Sequence, residues 1–517
     1  MSTTSLRVRD NIELDETEER IFKLLFRMIE HCNLKTELRV AGGWVRDKLL
    51  GQECKDIDIA LENMTGKDFA ENVQKYMTSV GEKAQGIAVI GSNPKQSKHL
   101  ETARMRIFGL WIDFVNLRCE EYSDNSRIPS DQKFGTPEQD AMRRDLTINS
   151  LFYNVNTKSV EDWTDRGIND LKSGIIVTPL PPMETLLEDP LRGLRAIRIC
   201  AKLDGFILDE GLKEAAASDE VRAAFATKIS RERIGAEIDL MICGNHPARA
   251  MKDMCYLKWF WDVFSLHPQC EPPSEGCDRA CVAYLDCVCS LVPVIGRTTF
   301  DDEQRRLSYY AAMFLPLRKN MYRDEKGKVF PVVNYIFRYS LKQKVSDAES
   351  VMKIHYAFEK FLPLLPHFGS NGADVQQAED DLGIGEYVDD VSVTSKESKL
   401  RVLTGFLLRE VKDFWRVALL ICCAQDPLDK NFTLEDRRAL FRQVERAIVD
   451  DLGLDKVWDV KPLLDGKAII TNLQLISGGP AVSKWQRKVL AWQLAHPSGT
   501  AEECTEWMME THSSNYN

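Results

Sequence analysis

LRVAGGWVRDKLLGQECKDIDIAL, residues 38–61, is the stretch that decides the fold of this chain. It predicts a short apolar strand, a turn at Gly42 and Gly43, a helix, and a second strand that carries Asp56 and Asp58. Because alternate residues of a strand share a face, the two aspartates point the same way while the isoleucines beside them point into the core. The pattern therefore predicts two carboxylates held side by side.

Adjacent carboxylates repel each other at neutral pH unless a cation lies between them, and hard oxygen ligands favour Mg²⁺. The two glycines let a ligand approach the backbone at a helix N-terminus, where free N–H groups favour phosphate. A phosphate site beside a metal site suits phosphoryl transfer, in which two ions roughly 3.5 to 4 Å apart activate a hydroxyl and hold a leaving pyrophosphate. For an Asp-x-Asp pair taken alone, the alternative is a solvated acidic turn.

The composition indicates a multidomain intracellular protein. The chain has 517 residues, too many for one core, of which 44% are hydrophobic and 28% charged. No apolar run reaches membrane-spanning length, so we expect no membrane partner, and 14 irregularly spaced cysteines indicate reduced thiols. The net charge of −11 is the wrong sign for general nucleic-acid affinity, so RNA binding would require a local basic face.

The N-terminus carries a weak targeting signal. The first nine residues, MSTTSLRVR, are rich in Ser, Thr and Arg, but the acidic segment that follows is atypical of a transit peptide. We therefore expect a cytoplasmic protein and leave open a nuclear location and mitochondrial import from an upstream start.

Two further strands are predicted within ARMRIFGLWIDFVNLR, residues 103–118. In the second, Asp113 interrupts a side that it shares with Val115 and Leu117, and a carboxylate on such a face needs a partner. Metal ligation beside the first two aspartates is one interpretation. A structural salt bridge to Arg104 or Arg106 is the other.

Two polar segments are predicted to be loops. The first, Gly91 to Ala103, is either a mobile lid or a plain hairpin connection, and the second, Glu120 to Gln139, is rich in Ser, Asp and Pro. A helix is then expected over Ala141 to Asn154, with Asp145 and Asn149 one turn apart on one face.

Two side-chain types in this helix suit a nucleotide. Arg143 and Arg144 beside a phosphate site suit a triphosphate clamp, and Asn149 suits a ribose hydroxyl. Each residue alone is equally consistent with a solvated helix face, so the interpretation depends on the neighbourhood.

A second basic region follows in TLLEDPLRGLRAIRICAKL, residues 185–203. Asp189 followed by Pro190 predicts the start of a helix, with Asp189 as the N-cap and Pro190 as the first helical residue. Within that helix, arginines recur every three residues, at Arg192, Arg195 and Arg198. The later stretch KISRERIGAEI supplies further basic residues on a helix capped by Ser230, namely Lys228, Arg231 and Arg233.

An aspartate with an arginine one turn on permits an inference about base choice. The pairing edges of C and A show an amino donor beside a ring-nitrogen acceptor, whereas U and G show a carbonyl acceptor beside an N–H donor. A carboxylate beside a guanidinium complements the first pattern and opposes the second. Asp189 with Arg192 would therefore select CTP and ATP without a template strand. The alternative is an ordinary Asp–Arg pair at a helix N-terminus.

Taken together, these blocks resemble the class II tRNA nucleotidyltransferases, the CCA-adding enzymes, and most closely their eukaryotic, fungal-type members. The matching stretches are VAGGWVRDKLLGQECKDIDIAL, SKHLETARMRIFGLWIDFVNLR, FGTPEQDAMRRDLTINSLFYN, GINDLKSGIIVTPL, EDPLRGLRAIR and KISRERIGAEI. The resemblance implies an α+β protein, with a small mixed β-sheet in a nucleotidyltransferase head and all-α neck, body and tail domains. We place these domains at residues 1–165, 166–262, 263–390 and 391–517, and expect the tail to hold tRNA.

The resemblance also implies Mg²⁺-dependent, template-independent addition of C, C and A to the 3′ end of tRNA from CTP and ATP, with release of pyrophosphate. The expected partners are tRNA, CTP and ATP, and DNA is not expected. Asp56 and Asp58 are expected to bind the metals, and Asp113 completes the catalytic set. The expected nucleotide-binding residues are Gly42, Gly43, Arg46, Arg144, Asp145, Asn149, Asp189, Arg192, Arg195 and Arg198; the expected RNA-binding residues are Lys228, Arg231 and Arg233.

Two alternatives remain at this point: a poly(A) polymerase that shares the head and neck, and a non-catalytic tRNA-binding protein on the same fold. One departure from the family pattern is Gly193, where a bulkier apolar residue is expected. In an isolated helix this glycine would cost about 1 kcal/mol relative to alanine.

The C-terminal half predicts long helices with breaks at residues 267–276 and 367–390. Four cysteines lie in one predicted helix without the separated Cys-x-x-Cys pairs of a zinc site, so buried thiols are expected: Cys277, Cys281, Cys287 and Cys289. Near the end, SKWQRKVLAWQLAHP combines basic residues with Trp485 and Trp492, which suits either tRNA backbone binding or an amphipathic packing helix.

Overall fold

A computed structural model of the protein describes residues 7–83, 85–90, 102–122, 129–368, 391, 395–475 and 479–514. The chain forms two compact units, Met1–Val263 and Phe264–Asn517. Across the described ranges, every helix is too short or too polar to cross a membrane. The division into four domains stays a prediction, and most of the predicted loop at residues 91–103 lies outside the described residues.

Unit 1 combines a mixed sheet with short helices. Its described strands are β1 Arg39–Ala41, β2 Ile57–Leu61, β3 Ala88–Ile90, β4 Thr102–Ile107, β5 Leu110–Asn116, β6 Arg118–Tyr122, β7 Pro129–Phe134, β8 Leu151–Asn154, β9 Ser159–Asp162, β10 Ile175–Ile176 and β11 Ile207–Leu208. Its described helices are α1 Glu16–His31, α2 Gly43–Leu49, α3 Gly66–Ser79, α4 Pro137–Met142, a 3₁₀ turn Thr147–Asn149, α5 Gly167–Ser173, α6 Pro182–Glu188, α7 Leu191–Lys202, α8 Glu210–Ala217, α9 Asp219–Lys228, α10 Arg231–Ile242, α11 Pro247–Tyr256 and α12 Phe260–Val263.

The main sheet has seven strands in the order β3-β4-β5-β2-β1-β8-β9. β2 and β5 run parallel and the other neighbours run antiparallel, so the predicted small mixed sheet is confirmed. Ile57 and Ile59 are fully buried on one face, as strand alternation predicts. On β5 the buried residues are Ile112, Phe114 and Asn116. On the opposite face Val115, two residues after Asp113, packs against a buried apolar cluster that includes Leu117, so Asp113 interrupts a largely apolar side as expected, although β5 itself ends at Asn116.

The β4–β5 hairpin turns at Phe108 and Gly109, which both have positive φ, 46° and 91°. Such a two-residue turn matches the right-handed twist of its strands. The second predicted loop is wrong in part, because β6 and β7 pair as an antiparallel hairpin and α4 begins at Pro137. Backbone pairing over these residues overrides the polar composition on which the loop prediction depended.

The predicted helix over Ala141 to Asn154 is also wrong. α4 ends at Met142, and Leu151–Asn154 forms β8, the neighbour of β1 in the sheet. The β8 side chains are all buried, and a central position between two strands outweighs local helix propensity. Consequently Leu146 and Leu151 are fully buried rather than lying on a half-exposed helix face.

Residues 166–262 of unit 1 are helical except for the short parallel β10–β11 ladder and the connecting turns. Gly193 lies in α7 directly against the indole of Trp259, which is fully buried and donates a 2.7 Å hydrogen bond to the Ala216 carbonyl. A Cβ on Gly193 would lie 2.4 Å from Cη2 of Trp259. The glycine is therefore required by packing and is not merely a loss of helix stability.

We predict that Gly193→Ala destabilises unit 1 by about 1–3 kcal/mol, because the clash with Trp259 outweighs the usual helix-propensity gain. Urea unfolding of the full chain measures the effect. The cost should shrink in a Trp259→Phe background, since the smaller ring relieves the clash. Equal or higher stability of the single Gly193→Ala variant would contradict this packing argument.

The described residues of unit 2 are helical apart from one hairpin. Its described elements are α13 Cys277–Ile295, α14 Asp302–Phe314, β12 Met321–Arg323, β13 Val329–Pro331, α15 Val332–Tyr335, a π-helical turn Ile336–Ser340, α16 Val345–Phe361, α17 Lys396–Val411, α18 Trp415–Cys423, α19 Leu434–Arg446, a second π-helical turn Ala447–Asp451, α20 Gly466–Asn472, α21 Pro480–Ala495 and α22 Ala501–Ser514. Short 3₁₀ segments lie at Arg297–Thr299, Leu315–Leu317, Leu362–Phe368, Lys412–Phe414 and Val457–Asp459.

Two predictions for unit 2 can be compared with the structure. α13 carries all four clustered cysteines as predicted, with Cys277 and Cys281 buried and the other two half-buried. In α21, Trp485 and Trp492 are buried and pack against Trp507 of α22, with ring centroids 6.3 and 6.2 Å apart. The packing-helix interpretation therefore accounts for both tryptophans.

Candidate functional site

The site is built on one row of residues that crosses the sheet of unit 1. Backbone pairing sets Ala41 of β1 opposite Asp58 of β2, Asp58 opposite Asp113 of β5, and Asp113 opposite Arg104 of β4. Directly paired residues of neighbouring strands lie on the same face of the sheet. The topology therefore places two carboxylates and a guanidinium side by side.

Asp56 joins this row from the position just before β2. The nearest carboxylate oxygens of Asp56, Asp58 and Asp113 all lie within 4.8 Å of one another. Asp56 is exposed and the other two are half-buried, and within the described ranges no other group of three acidic, histidine or cysteine side chains has metal-binding geometry. An all-oxygen set of converging carboxylates fits a hard divalent cation.

Arg104 lies against the same cluster. Its Nε and Nη2 donate to the two carboxylate oxygens of Asp113 at 2.6 and 2.9 Å, and Nη2 lies 3.4 Å from Asp56. Arg106 instead donates to the Gly109 carbonyl at 3.0 Å. Both interpretations of Asp113 therefore hold together, since it belongs to the acidic cluster and pairs with Arg104.

Asp58 carries the main electrostatic cost of this arrangement. Burial, followed by the nearby charges of Asp56 and Asp113, raises its pKa from 3.8 to about 6, although Arg144 and Arg104 oppose the shift. A carboxylate with a raised pKa is costly to ionise without a compensating cation. The arginines relieve this repulsion only in part, so the fit of the cluster to a divalent ion follows from the remaining repulsion as well as from its oxygen ligands.

We predict that divalent-ion binding weakens as the pH falls through 6. A proton and a metal ion compete for Asp58, so below its raised pKa the apparent affinity should fall by about tenfold per pH unit. Mn²⁺ titrations without nucleotide at pH 5 and pH 7 measure this difference. Equal affinities at the two pH values would show that Asp58 is not a ligand.

The Gly-Gly turn adjoins the acidic row at the end of β1. Gly42 has a φ of +79°, which favours glycine, and a Cβ at this position would lie 3.1 Å from Nη1 of Arg144. Gly43 begins α2 and lies against the guanidinium of Arg46, 3.4 Å from a built Cβ. The chain therefore brings two arginines to the glycine turn, as a triphosphate site requires.

Asp140 of α4 orients the arginine pair and was not identified from the sequence. It is buried and accepts hydrogen bonds from Nε of Arg143 at 2.8 Å and from Nε and Nη2 of Arg144 at 2.9 and 2.8 Å. Burial alone would raise the pKa of Asp140, but the two guanidinium charges lower it below its ordinary value. The spacing of an aspartate three and four residues before two arginines was the available signal.

Asn149 and Asp145 contact each other, although through a turn rather than a helix face. The Asn149 amide nitrogen donates to Asp145 at 3.3 Å, and its amide oxygen accepts from Nη1 of Arg46. Arg46 also pairs with buried Asp47, to which Lys202 of α7 donates at 3.0 Å. These bonds link the glycine turn to α7.

Arg195 and Arg198 of α7 share one buried partner, Glu237 of α10. Nε of Arg195 lies 3.2 Å and Nε of Arg198 2.6 Å from its carboxylate oxygens, and Arg195 reaches Asp145 at 3.8 Å. Burial would raise the pKa of Asp145, but the charge of Arg195 and the hydrogen bond from Asn149 lower it. Glu237 was not identified from the sequence because its partners lie about forty residues away.

Asp189 and Arg192 differ from the predicted geometry. α7 begins at Leu191 with Pro190 at the N-cap, one residue later than predicted, and Asp189 accepts from the Leu191 N–H at 3.2 Å. The Asp189 carboxylate pairs with Arg233 of α10 at 2.8 Å. Arg192 is buried, donates to the Arg143 carbonyl at 3.0 Å and pairs with Glu188 at 3.0 Å.

The basic residues expected to bind RNA are engaged within unit 1. Lys228 ends α9 and donates to the Leu187 carbonyl at 2.9 Å, so it is not on the helix that Ser230 precedes. Arg231 donates to the Asp262 and Val263 carbonyls at 2.9 and 3.2 Å. With Arg233 paired to a carboxylate, this cluster holds helices together, and an RNA role for it stays a prediction.

The chain is similar to known proteins in part of unit 1 and over nearly its whole length. Residues 38–177 match the Poly A polymerase head domain family. The chain is 31% identical to tRNA nucleotidyltransferase cca2 of Schizosaccharomyces pombe, covering 96% of this chain and 98% of the relative. It is 33% identical to the mitochondrial CCA tRNA nucleotidyltransferase of Saccharomyces cerevisiae, covering 95% and 92%. A solved structure of the Bacillus stearothermophilus CCA-adding enzyme in complex with CTP superposes with a TM-score of 0.61 at 17% identity, covering 97% of this chain and 99% of that one, which supports the fold.

Proposed function

The chain belongs to the tRNA nucleotidyltransferase family, and from that premise we propose that it adds C, C and A to the 3′ end of tRNA from CTP and ATP. The proposal depends on one observation: the carboxylates of Asp56, Asp58 and Asp113 lie together at the sheet, and the adjoining turn at Gly42 and Gly43 has two arginine side chains packed against it. Neither feature alone specifies nucleotidyl transfer. Together they provide ligands for divalent ions and a site for the triphosphate on one face of the sheet.

The acidic residues are proposed to act through divalent ions. Asp56, Asp58 and Asp113 would hold Mg²⁺, which supplies Lewis acidity to the attacking 3′ hydroxyl and charge neutralisation to the pyrophosphate. Arg104 lies on two of these carboxylates, so it neutralises part of their charge in the absence of ions. The protein's own part is to hold three carboxylates in one place despite their repulsion.

Arg144 is proposed to hold the triphosphate. Asp140 fixes its guanidinium next to Gly42, where Nη1 also donates to the Asn149 carbonyl at 3.3 Å. Because Asp140 orients the arginine in advance, less side-chain entropy is lost when phosphate binds. Asn149 and Asp145, which are bonded to each other, are proposed to contact the ribose.

Base selection is proposed to depend on Asp189 and Arg192 at the start of α7. The carboxylate of Asp189 is fixed by Arg233, and the buried guanidinium of Arg192 is fixed by Glu188. A fixed acceptor beside a fixed donor complements the pairing edges of C and A.

The proposed function is tested by incubating the protein with tRNA that lacks its 3′ end and with each nucleoside triphosphate separately. We expect two additions from CTP alone and a third only when ATP is also present. Long runs of A without C would identify a poly(A) polymerase. Binding of tRNA without any addition would identify a non-catalytic binding protein.

The cellular setting is proposed from the same premise. We propose a cytoplasmic enzyme with nuclear and mitochondrial pools; two relatives are named as mitochondrial, which supports the mitochondrial pool alone. The tail at residues 391–517 is proposed to contribute to tRNA binding.

A further inference from the structure

Unit 2 carries a concentrated basic segment that was not identified from the sequence. Residues 318–344 contain eight basic and two acidic residues, a net charge of +6, in a chain whose net charge is −11. The rest of the chain therefore carries −17. Because an acidic protein needs a local basic face to approach a polyanion, this segment is the natural place to look for one.

The structure gathers these charges on and beside one hairpin. β12 and β13 pair from Met321 to Pro331. Arg323 at the end of β12 is exposed, and so are Lys326 and Lys328 in the turn that follows. The carboxylate of Asp324 is occupied inside the turn, where it accepts the backbone N–H groups of Lys326 and Lys328 at 3.0 and 2.8 Å. It therefore does not pair with the lysine side chains.

A second group of cations lies on the π-helical turn Ile336–Ser340 and just beyond it. Arg338, Lys342 and Lys344 are exposed, and the described carboxylates form no ion pair with them or with the hairpin cations. π-Helical turns are uncommon and occur frequently at functional sites. We call the six residues the hairpin patch: Arg323, Lys326, Lys328, Arg338, Lys342 and Lys344.

Aromatic rings support the hairpin patch. The ammonium of Lys328 lies 4.9 Å from the ring centroid of Phe330, and that of Lys342 lies 5.7 Å from Tyr339. Tyr339 is 45% exposed and stacks on Tyr335, with centroids 4.9 Å apart. Cation–π contacts limit where the ammonium groups move without neutralising them, and an exposed tyrosine offers a stacking surface for a nucleotide.

From these observations we propose that the hairpin patch binds the phosphate backbone of tRNA. The proposal rests on the proposed function, which supplies tRNA as the substrate, and it adds a binding surface in unit 2. Exposed cations that form no ion pair with a described carboxylate and that lie beside aromatic rings fit a polyanion, and they do not provide the apolar core typical of protein–protein interfaces. The patch accounts for RNA affinity in a protein whose overall charge opposes it.

The test is a triple variant of the full chain, Arg323→Gln, Lys326→Gln and Lys328→Gln. We expect the KM for tRNA to rise roughly tenfold, and the slope of log affinity against log salt to become shallower by about 3, because three phosphate contacts are lost at roughly 0.9 each. The KM for CTP and the kcat should stay at their original values. A second variant, Arg338→Gln with Lys342→Gln, should weaken tRNA binding in the same way from a separate element.

The matched control removes the same charge elsewhere, with Lys67→Gln, Lys75→Gln and Lys83→Gln. Lys67 and Lys75 lie on α3 and Lys83 follows it, and all three are exposed. If the hairpin variants bind tRNA as the original protein does, or if the control weakens binding equally, the patch is not a tRNA site. These outcomes are distinct from failure of the proposed function, in which the original protein itself would add no C to tRNA.

Discussion

Asp58→Asn should reduce nucleotide addition by about 10³-fold or more, because it removes a ligand worth several kcal/mol of transition-state stabilisation. Asparagine has the same shape as aspartate, and Asp58 lies in the middle of the row between Ala41 and Asp113. Steady-state addition of C to tRNA measures the loss. The KM for tRNA should change little, since the substitution leaves the RNA-binding surfaces intact.

The same substitution should not destabilise the protein when metal is absent. Burial and two neighbouring carboxylates raise the pKa of Asp58 to about 6, so its ionised form is disfavoured in the folded state. For a carboxyl whose folded pKa lies above 3.8, stability present at low pH is lost as the pH rises from about 4 to about 6. Asp58→Asn removes this loss, so its free energy of unfolding at pH 7.5 should equal or exceed that of the original protein.

A matched control for Asp58→Asn is Asp165→Asn. Asp165 is exposed with a φ of 58°, a conformation that asparagine adopts readily, and it lies in the same unit. The control should keep full activity and stability. Retention of activity by Asp58→Asn, or equal loss in both variants, would contradict a catalytic role for the acidic row.

Asp189→Asn should lower the preference for CTP over UTP by about 10- to 100-fold, the range for a lost bidentate contact to a base. Asparagine keeps an oxygen for the Leu191 N–H, so the start of α7 is preserved, while the charge that pairs with Arg233 is lost. The ratio of kcat/KM for the two nucleotides, measured on tRNA ending before its first C, gives the preference.

The dependence of activity on Mg²⁺ should be the same for Asp189→Asn and the original protein, because Asp189 lies outside the acidic cluster. A parallel fall for CTP and UTP, with the preference unchanged, would mean that Asp189 only supports the helix start. A changed Mg²⁺ dependence would mean that the variant disturbs the sheet as well.

Local periodicity was sufficient to predict the carboxylate pair. Alternate side chains of β2 point to opposite faces of the sheet. Ile57 and Ile59 are buried on one face, so Asp58 between them points to the other. Asp113 could be proposed but not placed, because its position beside Asp58 depends on a parallel pairing between strands more than fifty residues apart. The family resemblance supplied the fold class and domain types that such pairings require.

The sequence-based predictions were wrong where tertiary structure overrides the local conformational preference of the residues. The LFYN segment forms a central strand although its surroundings look helical, since β1 offers it a pairing partner. Gly193 looked unfavourable because nothing in the sequence marks Trp259 as its neighbour. Glu237 was missed because only the structure shows that it pairs with arginines about forty residues away, whereas the local spacing of Asp140 to its two arginines was a signal that the sequence did offer.

Net charge was a poor guide to the proposed RNA-binding surface. The net charge of −11 gives no sign that residues 318–344 are strongly basic. The basic cluster that the sequence did indicate, Lys228 to Arg233, binds backbone carbonyl and carboxylate groups within the protein. A cation that is already paired contributes little to binding a polyanion. Exposure and pairing, which the sequence does not give, decide which basic residues are available.

The central claim is that the acidic row of the sheet binds divalent ions next to the nucleotide, and Mn²⁺ binding in the presence of CTP tests it most directly. Electron paramagnetic resonance of free Mn²⁺ measures how much metal the protein–CTP complex holds. The account predicts that the original protein holds more Mn²⁺ than CTP alone does, and that Asp56→Asn with Asp58→Asn abolishes this excess. Unchanged Mn²⁺ binding in the double variant would contradict the account.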